Sequence, residues 1–445
     1  MTATLFHQRF LILAGFFCLS LASSTAQTVP YSHGHPSAEE QYMLELVNRA
    51  RANPAAEGIF LADNGDPNIK FAIDFFKVDR ARVKSDFARI DARPPLAFSP
   101  ALLTSSRRHS RDMVVKNFQD HVGSDGSTFN ARVIEAGMSA SVIGENIYSL
   151  SVATPLFAHV GFNIDWGFGD FGVQPGVGHR KNIMGSGAVD FREIGIAILS
   201  RSGADAAEFG KLAVTQDFGT RFDSPDFLVG VTYYDVNNNG ICDPGEGLPG
   251  INVQPGTGSF HAVTSASGGY AIPFSIPPNK SHVVFSGGGL KAPTTVDFSM
   301  SGQNVKLDLR ITSGGPFVAI KWLDRIASER GVAAEGYARF RIVRVGPIGE
   351  RLNVEIETPL LDGVGIASPA DYKLTAISPA TVKSNATFPG RFTVTLSPGQ
   401  PFADVRLKAI ADLENEPEEN ARFVIRESSL YRTDQTRAVV ILIRQ

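Results

Sequence analysis

Cysteine is almost absent from this chain of 445 residues; Cys18 and Cys242 are the only two. Cys18 falls in an amino-terminal apolar run, so removal of that run leaves Cys242 alone and an internal disulfide impossible. Stability then has to come from packing or bound metal. An excess of charge of either sign is also missing. Lys and Arg number 42 against 45 Asp and Glu, a formal net charge of −3. No long basic run is present, which excludes the usual footprint of a nucleic-acid or anionic-lipid partner. Neither a His-Glu-x-x-His zinc element nor a Gly-x-Ser-x-Gly nucleophile elbow occurs.

The amino terminus carries a targeting signal. Arg9 precedes the apolar run Phe10 to Ala22, and Ser24 and Ala26 are spaced for cleavage before Gln27. The run is shorter than the ~20 apolar residues a membrane span requires. Residues 1–26 are therefore read as a secretory signal peptide, and the mature protein as secreted or cell-surface, extracellular or periplasmic, without a transmembrane segment.

Composition then changes twice. Helix-period segments mix with short strands to about Phe222, Gly-rich turns separate short β-branched runs from Phe227, and Thr312 to Pro316 forms a second loop. Three folded regions are expected, at 36–222, 227–312 and 316–445. In the first, Ser37 and Glu40 fit a capping box, followed by Met43, Leu46, Val47 and Ala50 on one helical face. A second helix starts at Ser99-Pro100 and buries Leu102, Ser106, His109 and Met113, so His109 reads as a core histidine. Ile194 to Ile198 and Leu212 to Phe218 read as strands, giving an α+β sandwich.

Several segments follow one another in a family's order: Leu46-Val47-Asn48-Arg49-Ala50-Arg51, His109 to Met113, Phe118-Gln119-Asp120-His121, Gly144-Glu145-Asn146-Ile147, His179-Arg180-Lys181-Asn182-Ile183-Met184 and Val214 to Gly219. Together they resemble the CAP superfamily (cysteine-rich secretory, antigen 5 and pathogenesis-related proteins). The resemblance implies an αβα sandwich in which His121, Glu145 and His179 line one cleft able to hold a divalent cation. Imidazole and carboxylate donors suit zinc. The family's second carboxylate falls in Phe162-Asn163-Ile164-Asp165-Trp166, where either Asn163 occupies the place or Asp165 substitutes. A Gly-rich insertion separates this stretch from His179.

The run Asp235-Val236-Asn237-Asn238-Asn239-Gly240-Ile241-Cys242-Asp243-Pro244-Gly245-Glu246 has the spacing of a twelve-residue calcium loop. Asp235, Asn237, Asn239, Asp243 and Glu246 would give side-chain oxygens, Ile241 its carbonyl, and Gly240 the sharp turn. Its flanks read as strand and turn, so it resembles the B-type repeat domains of Gram-positive adhesins rather than a helical hand. The alternative is an Asx-rich turn without metal.

In the last region Val318 to Ile320, Ala327-Ser328-Glu329 and Ala338 to Arg344, with Asp371-Tyr372 and Ala411-Asp412 further on, resemble Calx-beta domains. That resemblance implies an immunoglobulin-like sandwich. Glu329, Asp371, Asp412 and Glu416 are the candidates for a second calcium, against the alternative of a solvated acidic loop.

The expectation is an exported binding protein, with a cleft for a small-molecule, lipid or protein ligand or a metal, and calcium-stiffened β modules. The alternatives are a metal-dependent hydrolase using the same cleft and a matrix protein whose cleft is inert.

Overall fold

The Ser37 hydroxyl accepts the Glu40 N–H at 3.2 Å while the Glu40 carboxylate accepts the Ser37 N–H at 2.7 Å. This reciprocal cap opens helix α1 (Ala38–Ala52). The computed structural model describes residues 28–150, 152, 154–185, 190–200, 210–329, 337–358, 366–411, 418–428, 430–433 and 438–444. The leader read at 1–26 lies outside them.

Among the described residues seven more α-helices follow α1: α2 (Pro54–Ala62), α3 (Pro67–Phe76), α4 (Arg80–Phe87), α5 (Pro100–Lys116), α6 (Phe129–Glu135), α7 (Pro155–Ile164) and α8 (Gly178–Met184). Strand β1 (Val29–Pro30) precedes them. Strands β2 (Ala97–Phe98), β3 (Ala140–Leu150), β4 (Glu193–Ser200) and β5 (Leu212–Arg221) form one sheet in the order β2-β4-β5-β3. The architecture is α+β. Along β4 and β5 alternate side chains take opposite faces. Ile194, Ile196, Ile198, Val214 and Phe218 join a core with Met43 and Val47 of α1 and Val160 and Phe162 of α7. The other face meets α5. A Cβ on Gly195 would lie 2.0 Å from the Leu102 carbonyl carbon, so glycine sets how closely helix and strand approach.

The predicted stripe Leu102, Ser106, His109 and Met113 is buried on α5. Ser99 does occupy the cap position, yet its hydroxyl makes no cap bond, so Pro100 alone suits this helix start.

The next strands are β6 (Asp226–Tyr234), β7 (Ile251–Pro255), β8 (Phe260–Val263), β9 (Gly269–Phe274), β10 (Ser281–Gly287), β11 (Thr294–Phe298), β12 (Val305–Lys306) and β13 (Leu309–Ile311). One sheet runs β1-β8-β7-β10-β11, and the other centres on β6, with β12, β13 and β9 as its neighbours. The chain before α1 is therefore fastened far along the sequence, through Val29 against Phe260. Leu228, Ile251, Val253, Ile272 and Phe285 fill the core between the sheets, and Phe317 joins them from beyond the 312–316 loop.

Among the described residues eleven further strands from Phe317 to Arg444 make two sheets around Phe340, Val354, Val394, Leu407, Phe423 and Ile441. Alternating buried and exposed positions along Tyr337–Val345 and Phe402–Ala409 give the two-layered β packing. Among the described residues no helix is long and apolar enough to cross a membrane.

Candidate functional site

Glu145 and Asn146 stand next to each other on β3, the edge strand of the first sheet, so their side chains leave from opposite faces. On the α5 face the Glu145 carboxylate receives two partners. Its Oε1 is 2.8 Å from His121 Nδ1 and its Oε2 accepts from Arg132 Nη2 at 2.6 Å. The Arg132 and Glu145 side chains are 1% and 2% exposed, whereas the His121 ring is 58% exposed. Arg132 also donates to the His121 and Ser127 carbonyls, tying α6 to the loop that carries the histidine. The bond to Glu145 raises the His121 pKa above its ordinary value, with burial working against it.

The other face of β3 meets α8. Asn182 donates to Asn146 Oδ1 at 2.8 Å, and Asn146 donates to the His179 carbonyl at 3.2 Å. These bonds lay α8 along the strand. His179 Nδ1 lies 2.7 Å from Asp165 Oδ1, and the His179 N–H donates to Asp165 Oδ2 at 3.1 Å. Asp165 ends α7 in the left-handed region at φ 60°, a conformation Asp tolerates better than bulky residues do. Asn163, the other alternative at this place, is buried and donates to the His159 carbonyl at 2.9 Å. Asp165 is the residue that reaches His179.

The four predicted side chains thus form two histidine–carboxylate pairs, one on each face of the exposed strand edge. Each Nδ1 is engaged by a carboxylate, and among the described residues neither Nε2 has a hydrogen-bond partner. An imidazole oriented in this way offers Nε2 to a ligand or a metal. Among the described residues no group of three or more His, Cys, Asp or Glu converges to hold a metal ion. An imidazole whose Nδ1 is already taken by a carboxylate suits an open site completed by solvent or ligand better than a closed structural zinc centre.

Sequence reasoning missed two residues beside Glu145 and one buried pair elsewhere in the same region. Arg132 carried no motif. Asp217 lies fully buried opposite Glu145 in the β3–β5 register, and burial, then the Glu145 charge, push its carboxyl well above the usual range. His159, buried in α7, contacts Glu57 at 2.9 Å, and Arg49 grips the same carboxylate with two bonds of 2.8 Å. Burial works against ionisation of Glu57, but these partners hold its pKa down at about 2. His109 fulfils its reading as a core histidine. It is buried, with Nε2 2.9 Å from the Asp120 carbonyl.

The Asp235–Glu246 segment leaves β6 as a closed loop. Asp235 accepts the Asn239 and Gly240 N–H groups at 3.1 and 2.8 Å, so the chain curls around its carboxylate. Gly240 takes φ 80°, as the predicted turn requires. Glu246 accepts the Val236 and Asp243 N–H groups at 2.8 and 3.0 Å, and Asn237 and Asn239 donate to Asp243 Oδ2 at 2.7 and 2.8 Å. Ile241 donates its N–H to Asn239 Oδ1, and its carbonyl is the oxygen the sequence spacing assigns to a cation. Three carboxylates, two amides and a carbonyl are the hard oxygen set that suits calcium. The structure also adds Arg310 from β13, whose Nε donates to Asp235 Oδ2 at 2.6 Å.

In the last region Glu329 follows a short strand, its N–H donating to the Arg444 carbonyl, and Asp371 accepts the Ser368 N–H. Asp412 and Glu416 lie outside the described residues.

The first and middle regions meet through polar contacts. Lys306 pairs with buried Glu45 of α1 at 2.8 Å, Arg192 pairs with Asp226 at 2.6 Å, and Asn304 donates to the Pro95 and Arg192 carbonyls.

No protein-family model matches the chain, and no curated protein matches it. Solved structures resemble parts of it. An extracellular protein containing an SCP domain from Bacillus anthracis is 19% identical over 35% of this chain and 44% of its own, with a TM-score of 0.22. The apo-form CBD1 domain of Calx is 19% identical over 29% of this chain and 96% of its own, with a TM-score of 0.20. The major pilin subunit of Bacillus cereus is 10% identical over 50% of this chain and 69% of its own, with a TM-score of 0.21. The chain thus spans less than half of the first of these proteins.

Proposed function

We propose that the chain is an exported binding protein of three modules, 36–222, 227–312 and 316–445, with a CAP-like module first. That module presents the His121 and His179 imidazoles on either side of the β3 edge to a divalent cation such as zinc or to a ligand that coordinates through it. The middle module takes calcium in the Asp235–Glu246 loop, and the last is a Calx-beta-like spacer. The reading makes the protein a binder rather than a catalyst. The observation that carries it is the matched pair of Nδ1–carboxylate contacts, 2.8 and 2.7 Å, which fixes both rings with Nε2 unpartnered among the described residues. Each buried carboxylate is offset by its partners, and each holds a ring that reaches solvent, an arrangement common at functional sites.

The test is zinc titration of the chelator-treated protein, followed by calorimetry and by the imidazole NMR signals. One zinc per chain is expected, perturbing both rings, with affinity falling at least about tenfold in His121→Ala and in His179→Ala. Zinc bound with the same affinity by the double variant would remove the two rings from the site.

A further inference from the structure

Asp235 opens the calcium-loop sequence, and it is not free of positive charge. Its side chain is wholly buried, and Arg310 sits against it with 40% of its own side chain exposed. Besides the 2.6 Å bond from Nε to Asp235 Oδ2, Arg310 Nη2 donates to Asn238 Oδ1 inside the same loop. The guanidinium therefore contacts the loop at two points. It is delivered by the parallel pairing of β13 with β6, which sets Arg310 beside Tyr233, two residues before Asp235. Nothing in the loop's own twelve residues provides this charge. Asn239, Gly240 and Ile241 line a cavity of about 490 Å³ together with Tyr42 and Arg49 of α1 and Phe60 of α2.

We propose that Arg310 is a built-in competitor for the loop's cation, lowering its calcium affinity and bracing the metal-free loop. The inference rests on the reading of this loop as a calcium site. The physical reason is direct. A calcium ion and a guanidinium held on the same carboxylate repel, and at a separation of ~6 Å in a water-like dielectric the repulsion amounts to roughly a tenfold loss of affinity. Partial exposure lets Arg310 swing away, so part of the cost becomes the loss of the Asp235 bond instead. Either route weakens binding without removing any oxygen donor. Salt screens charges at this distance only partly, so the penalty persists at physiological ionic strength.

The experiment is calcium titration by calorimetry of the full chain, freed of metal, as wild type, Arg310→Gln and Arg310→Lys, with thermal unfolding of each in chelator and in calcium. Arg339→Gln, which removes an exposed pairing with Asp324 in the last region, is the control. Arg310→Gln is expected to bind calcium about tenfold more tightly and, in chelator, to unfold at a lower temperature than wild type. Arg310→Lys keeps the charge and should stay close to wild type in affinity, which also covers the case in which the glutamine variant folds poorly. Equal or weaker calcium binding by Arg310→Gln beside a wild type that binds would overturn the role of Arg310 while leaving the calcium loop standing. A wild type and variants that all fail to bind calcium would sink the loop reading and this inference with it.

Discussion

The His121–Glu145 and His179–Asp165 pairs have nearly the same contact distance and very different surroundings. Glu145 is shared between an exposed imidazole and the buried Arg132 guanidinium, with buried Asp217 across the strand pair. Among the described residues the Asp165 carboxylate bonds His179 alone, through the ring and through the backbone N–H at the start of α8. One pair belongs to a charge network and the other is a mechanical fixture. The same chemical motif should therefore fail differently at the two places.

The largest difference is expected on removal of the carboxylates. Glu145→Ala leaves Arg132 buried without its ion partner and should cost about 3–5 kcal/mol, read from urea unfolding at pH 7. Asp165→Asn keeps an acceptor for the His179 ring and a residue that tolerates φ 60°, and should cost about 1 kcal/mol. Comparable losses for the two variants would erase the distinction drawn between the pairs.

A titration sharpens the comparison further. The His121 pKa is raised chiefly by its bond to Glu145. The stabilisation linked to that proton is fully present below the ordinary histidine value of about 6.5 and is lost as pH rises through the raised folded value. Glu145→Gln should move the His121 midpoint down in NMR titration and flatten this part of the stability curve. Because the ring is largely exposed, solvent keeps the stability change to a few tenths of a kcal/mol. An unmoved midpoint would detach His121 from Glu145.

What could be read from sequence was local. The Ser37–Glu40 cap, the buried stripe through His109 and the turn at Gly240 each depend on residues within a few positions of one another, where periodicity and backbone preference act. His121, Glu145 and His179 were found through motif order, and the structure adds that they form two pairs rather than one quartet. The choice between Asn163 and Asp165 turned on the left-handed end of α7, which spacing does not reveal. Arg132 and Asp217 reach Glu145 through tertiary packing and strand register. Lys306 meets Glu45, and Arg310 meets Asp235, only because β12 and β13 run beside β6. Such partners obey no sequence period, and ion pairing is too common to single them out beforehand.

The smallest effect at acid pH is expected from Asp217→Asn, and it tests the network from behind. Burial and the neighbouring Glu145 charge hold the Asp217 carboxyl well above the usual range, so below the unfolded value it is protonated in both folded and unfolded chain and Asn copies its shape. The two proteins should then agree to within about 1 kcal/mol. Above that the signs diverge. A group whose folded pKa is raised contributes its full stability below the unfolded value, about 3.9, and loses it progressively as pH climbs to the folded value. Wild type must shed stability along that interval because unfolding releases the proton, while the asparagine variant has none to release. Urea unfolding at half-unit steps upward from pH 3.5 should show the variant drawing ahead as pH rises. Parallel curves would mean that Asp217 ionises normally, and that Glu145 shares its strand pair with a second charge.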